Sequence, residues 1–119
     1  MKVIRTSELE AFVAPDGSEV RELARPPDET RNQSLAEARV PPGSETVEHF
    51  HRTSEEIYHF TAGGGRMRLG DEESPVRAGE TVVIPPGTRH KLQNPGPEEL
   101  VLLCCCSPPY SDDDTVLCE

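Results

Sequence analysis

Two histidines separated by a single residue, His49 and His51, constrain this chain more than any other feature. On a β-strand, side chains alternate between the two faces, so both imidazoles project to one side with Cα atoms roughly 7 Å apart at about 3.3 Å rise per residue. On a helix, residues two apart point away from each other. A pair that acts together therefore belongs on a strand, and the surroundings agree. Thr46-Val47 before the pair and Ile57-Tyr58-His59-Phe60 after it are rich in β-branched and aromatic residues, and Gly and Pro clusters bound the runs. Imidazoles converging from that separation fit neighbouring positions around one metal ion, whose bonds to nitrogen are about 2.1 Å long.

The pair sits inside two longer patterns. In the first, five residues separate Gly43 from His49, four separate His51 from Glu56, and six separate Glu56 from Gly63. In the second, five residues separate Gly79 from Pro85, one separates Pro85 from Gly87, two separate Gly87 from His90, and three separate His90 from Asn94. Val82-Val83-Ile84 reads as a buried strand, Pro85-Pro86-Gly87 breaks it, and the reversal carries His90 back toward the first pair at the start of the next strand. Glu55 and Glu56 both follow the turn Arg52-Thr53-Ser54, and on an extended chain they point in opposite directions.

With every specified position filled, residues 43–63 and 79–94 resemble the paired motifs of the cupin superfamily. The resemblance implies an all-β fold, a single double-stranded β-helix or jelly-roll barrel, and selects Glu56 over Glu55 by its distance to Gly63. It implies one divalent metal per chain held by His49, His51, Glu56 and His90, with Fe, Mn, Ni, Cu and Zn all compatible with mixed nitrogen and oxygen donors. Dioxygenase-type chemistry on a small oxygen-bearing organic molecule is the first expectation. A metal-dependent isomerase, epimerase or lyase is the alternative, with a non-catalytic small-molecule-binding module beside it. Cupins commonly pair through barrel edges, so a homodimer is expected, with the first forty residues supplying edge strands.

At 119 residues the chain has room for one domain, and the whole of 1–119 is expected to form it. Short runs at 20–24, 34–40, 66–69, 74–76 and 100–106, separated by Pro, Gly or acidic turns, have the rhythm of a sandwich or barrel. Only 8–13 could form a helical turn or two. A formal charge of −10, with Lys2 and Lys91 the only lysines, argues against nucleic acid and anionic membrane, which need a basic footprint. No leader or spanning segment is visible, and three consecutive cysteines, Cys104, Cys105 and Cys106, make poor disulfide partners for one another. A cytoplasmic location is expected.

Strand parity extends the reading. Tyr58 and Phe60 share the face of Glu56, which makes Tyr58 a candidate proton donor and turns His59 outward. Met67 and Leu69 are expected inside and Arg66 and Arg68 in solvent. Alignment with small cupins that end in cysteines and Ser-Pro-Pro-Tyr places Cys104 inward, and Cys106 shares its parity. The acidic run at 112–114 reads as a solvated turn before an edge strand at 115–117.

Overall fold

The computed structural model describes residues 1–119. Eleven strands follow one another: β1 (Phe12–Val13), β2 (Glu19–Ala24), β3 (Ser34–Val40), β4 (His49–His51), β5 (Glu55–Ala62), β6 (Gly64–Leu69), β7 (Glu72–Arg77), β8 (Thr81–Ile84), β9 (His90–Gln93), β10 (Leu100–Ser107) and β11 (Thr115–Leu117). They form a six-stranded sheet in the order β1-β2-β3-β10-β5-β8 and a five-stranded sheet in the order β11-β4-β9-β6-β7. All pairings are antiparallel. The expected jelly-roll architecture is thus present. Helical structure is limited to single 3-10 turns at Thr6–Glu8 and Asp112–Asp114, so the turn expected at 8–13 gives way to a shorter one upstream and to β1. Phe12 and Val13 gain a ladder with Val20 and Glu19, which an isolated turn of that length could not match. No helix is long and apolar enough to cross a membrane.

Alternation along the strands fills the space between the sheets, most clearly on β5. On β5, Glu56, Tyr58 and Phe60 are buried while Glu55, Ile57 and His59 are exposed. Phe60 packs with Leu100, Leu102, Ile84, Met67 and Leu92 in one cluster. Alternation on β5 ends at a bulge. Val101 pairs with Ala62 and Leu102 with Phe60, leaving Thr61 as the extra residue, so Thr61 and Ala62 are both exposed. Gly63 follows with φ +75°, and a Cβ there would run into the carbonyl of Glu99. The second motif glycine of the first pattern is therefore required by both backbone conformation and space.

The two motifs are also fastened to each other. Asn94 is 1% exposed and donates through Nδ2 to the carbonyls of Val40 and Glu98, each at 2.8 Å. Its backbone bonds the start of the first motif, Gly43 N–H to Asn94 O at 2.7 Å and Asn94 N–H to Ser44 O at 2.9 Å. The last residue of one pattern thereby fixes the first of the other. That anchorage sets how β4 and β9 lie side by side.

Candidate metal centre

β4 and β9 meet with His49 directly opposite His90. Cross-strand neighbours approach within about 5 Å, and the two imidazole centroids are 4.3 Å apart. His51, two residues along the same face of β4, lies 5.2 Å from His49 and 5.4 Å from His90 between centroids. The three rings offer nitrogens that all lie within 4.8 Å of one another. Glu56 arrives from the opposite sheet, on β5. Its Oε1 lies 3.1 Å from His51 Nε2 and 3.5 Å from His90 Nε2. The sheets that build the barrel thus each contribute to one point, three imidazoles from one and a carboxylate from the other.

Hydrogen bonds at the far side of each ring settle the tautomers. His49 Nδ1 lies 2.8 Å from the carbonyl of Val47, and His90 Nδ1 lies 2.9 Å from that of Thr88. A carbonyl can only accept, so both Nδ1 atoms carry the proton. His51 Nδ1 lies 3.0 Å from Thr115 Oγ1, whose own hydroxyl proton goes to the carbonyl of Ser111 at 2.9 Å. Thr115 therefore accepts from His51. In the neutral rings all three Nε2 lone pairs are left facing the common point.

Burial makes that arrangement costly unless something binds there. His49, His51, Glu56 and His90 are 4%, 3%, 4% and 1% exposed. His90 Nε2 is the buried side-chain polar atom that has no hydrogen-bond partner, since 3.5 Å from Glu56 is too long. Where His51 Nε2 faces Glu56 Oε1, two lone pairs repel unless a proton or a metal ion lies between them. Burial pushes the Glu56 carboxyl up, but with a proton between it and the imidazoles of His51 and His90 those rings outweigh burial and hold the group down at about 2. Burial, followed by the neighbouring His90, lowers the pKa of His49 and favours its neutral, ligating form. Nitrogen and oxygen atoms bound cis to one metal at about 2.1 Å stand about 3 Å apart, close to the separations between Glu56 and its two histidines. The donor set fits a divalent transition metal.

The remaining site residues fall where parity predicts. Tyr58 is buried on the cavity wall, its ring 5.8 Å from that of His90, and it packs edge-on to Phe60. Burial, then the charge of Glu56, raises its pKa well above the ordinary value, so the phenol stays protonated. Glu55 and His59 are exposed, and His59 Nδ1 lies 2.9 Å from Thr81 Oγ1 on the outer face. Met67 is buried between exposed Arg66 and Arg68. On β10, Cys104 lines the cavity and Cys106 donates its thiol to Glu56 Oε2 at 3.2 Å. Burial first, then Glu56, raises both thiol pKa values. Cys106 occupies the second carboxylate oxygen and leaves Oε1 turned to the histidines.

The edge strand expected at 115–117 is present as β11, but sequence reasoning missed what the C-terminal segment does at the site. Beyond positioning His51 through Thr115, it lays Tyr110 edge-on to the His51 ring at 5.7 Å. Asp114 clamps the β4–β5 turn, accepting from Thr53 N–H at 2.9 Å, Thr53 Oγ1 at 2.8 Å and Ser54 N–H at 3.1 Å. The acidic run is thus partly a cap for the turn that carries the chain from His51 to Glu56. A serine before an acidic stretch and a β-branched pair was the available signal; nothing in its spacing named His51 as the target. The segment also walls a cavity of about 460 Å³ that opens from the histidines toward β2 and β3.

Comparison with known proteins bears on this site. The model of the cupin domain matches residues 36–106. An uncharacterised protein of Methanocaldococcus jannaschii is 47% identical over 122 residues, covering 100% of this chain and 98% of that protein. Among solved structures, the polyketide cyclase RemF from Streptomyces resistomycificus superimposes with a TM-score of 0.79 at 23% identity, over 96% of this chain and 89% of that one. The Streptomyces nucleoside dehydratase Pac13 does so with a TM-score of 0.78 at 19% identity, over 98% and 90%. Identities this low carry likeness of fold alone.

Proposed function

Because the chain belongs to the cupin family, we propose that His49, His51, His90 and Glu56 hold one divalent metal per chain, and that the protein is an enzyme acting on a small oxygen-bearing organic molecule. The carrying observation is the set of three imidazoles whose Nδ1 atoms are all engaged, so that three lone pairs share one buried space with a carboxylate. When bound, the metal supplies a Lewis acid for the oxygen of the substrate.

The residues around it favour proton-transfer chemistry of the lyase, isomerase or cyclase kind. Tyr58 presents a protonated phenol on the cavity wall, beside the histidine cluster, and can hydrogen-bond a substrate oxygen as charge develops on it. Val40, Leu92 and Leu102 line the same cavity and keep water away from that contact. Dioxygenase-type chemistry is the second reading. It is supported by the donor count, because Cys106 engages Glu56 Oε2 and leaves three nitrogens and one oxygen, two short of an octahedral set.

Two copies are proposed to pair through the outer face of the six-stranded sheet. Val83, Ile57 and Cys105 stand in one cross-strand row there, with Val83 53% and Ile57 38% exposed. Residues 1–119 are read as one domain.

The test is turnover of a panel of hydroxylated and carbonyl compounds by metal-loaded protein, with oxygen followed in parallel. Metal-dependent conversion without oxygen uptake, slowed in Tyr58→Phe, is the expected result. Stoichiometric oxygen uptake would transfer the assignment to the second reading. Tight binding with no conversion would make the protein a binding module instead.

A further inference from the structure

The charged and small side chains of the cavity define what it admits. Its wall carries four carboxylates, Asp16, Glu22, Glu56 and Asp112, against a single cation, Arg25. Arg25 is spent at the rim, where its Nε lies 2.6 Å from Glu22 Oε2 and its side chain is 62% exposed. No lysine or unpaired arginine reaches inside to clamp an anion. Asp16 uses Oδ1 to accept from the Ser18 amide at 2.9 Å and the Ser18 hydroxyl at 2.6 Å, and Asp112 uses Oδ1 to accept from the Tyr110 hydroxyl at 2.9 Å. Each keeps Oδ2 free of protein partners, Asp16 half-buried on the wall and Asp112 exposed at the mouth where Arg25 also lies. Carboxylates fixed in this way repel a carboxylate or phosphate and attract a hydroxyl proton.

The volume points the same way. On β2 and β3, Ala24, Ser34, Ala36 and Ala38 face the cavity where larger side chains would fill it, and Glu22 stands directly opposite Ala36. The resulting space of about 460 Å³ falls within the roughly 300–1,000 Å³ that holds drug-sized ligands. A small dicarboxylate would leave most of it unfilled.

We propose that this cavity selects an uncharged, hydroxylated organic molecule of drug-like size, with one oxygen at the histidine cluster and a second hydroxyl toward Asp16 and Asp112, and that it discriminates against carboxylates and phosphates. The placement of the first oxygen rests on the function proposed above; the charge discrimination does not. Neutral guests gain from the apolar wall and from two waiting acceptors. Anionic guests of the same shape meet the aspartates at the end of the cavity away from the histidines, where no cation stands beside them, and Glu56 offsets part of the charge of an ion held at the cluster.

The experiment is calorimetric titration of metal-loaded and metal-free protein with a naphthalenediol bearing its hydroxyls on opposite rings, the hydroxynaphthoate of the same shape, and oxalate. The diol is expected to bind at least about tenfold tighter than the hydroxynaphthoate, a gap expected from carboxylates acting across a partly apolar site. Asp16→Asn combined with Asp112→Asn keeps the hydrogen bonds to Ser18 and Tyr110 and should shrink that gap to within about threefold. Equal or tighter binding of the hydroxynaphthoate, no binding of the diol, or a gap unchanged in the double variant would each overturn the proposal. Metal content is read on the same samples. Protein that takes up no metal yet keeps the preference sinks the metal-dependent function alone, and retained metal without preference sinks this inference alone.

Discussion

Replacing Glu56 with Gln in the metal-free protein exposes how the site is held together before any ion binds. Burial opposes ionisation of Glu56, yet His51 and His90 hold its pKa at about 2, against an ordinary 4.5. That difference corresponds to about 3 kcal/mol of stability. Because the folded pKa lies below the unfolded one, the contribution is complete above about pH 4.5 and is lost as the pH falls toward about 2. Near pH 3 the unfolded carboxyl is almost wholly protonated while the folded one is still ionised, so about 2 kcal/mol has already gone. His49 adds a loss of the same sign. Burial, then His90, lowers its pKa from 6.5, so acid favours the unfolded state, and this loss persists in the variant. Urea unfolding of both proteins at about pH 5 and about pH 3 isolates the difference, provided the denaturant slope is unchanged. The wild type should lose about 2 kcal/mol more than Glu56→Gln between the two conditions. Equal losses would refute the claim that the imidazoles stabilise the carboxylate.

Further outcomes follow from the same geometry. Thr115→Val removes the acceptor that fixes His51 Nδ1, 3.0 Å away, and should weaken metal binding by about tenfold in a competition titration on protein shown to be folded. Unchanged affinity would count against the tautomer argument. Cys106→Ala frees Glu56 Oε2 and should alter the visible spectrum of cobalt-loaded protein, whereas Cys106→Ser, which still donates, should restore it; identical spectra would remove Cys106 from the positioning of Glu56. Light scattering should give twice the chain mass of 13.1 kDa for the wild type and the single mass for Val83→Lys combined with Ile57→Lys. A monomeric wild type would contradict the proposed sheet-face pairing.

Of the four residues at the centre, the three histidines sit in local patterns that the sequence shows, whereas Glu56 was set apart from Glu55 by the resemblance to the cupin motifs. His49 and His51 share a face by the two-residue period, and Pro85-Pro86-Gly87 forces the reversal that precedes His90. Cys104 and Cys106 follow the same parity, because the bulge on their neighbour falls at Thr61, on the other side of the ladder. What stayed hidden depends on contacts distant in sequence. The direct opposition of His49 and His90 is a register, set by Asn94 holding Gly43 and Ser44, and no periodicity encodes it. Thr115 reaches His51 across 64 positions, and Asp114 reaches Thr53 across 61. The tail has no hydrophobic period of its own, so its role emerged only once β11 was seen beside β4. The turn expected at 8–13 failed for a related reason, since pairing with β2 outcompetes a short local helix.

The most direct test of the metal centre is elemental analysis of wild-type, His51→Ala and His90→Ala proteins purified without chelator, each checked for its folded circular dichroism spectrum. Three engaged imidazoles and one carboxylate predict about one divalent metal per chain in the wild type and a sharp loss in both variants, accompanied by a lower melting temperature. Metal content in His51→Ala and His90→Ala equal to that of the wild type would contradict the site.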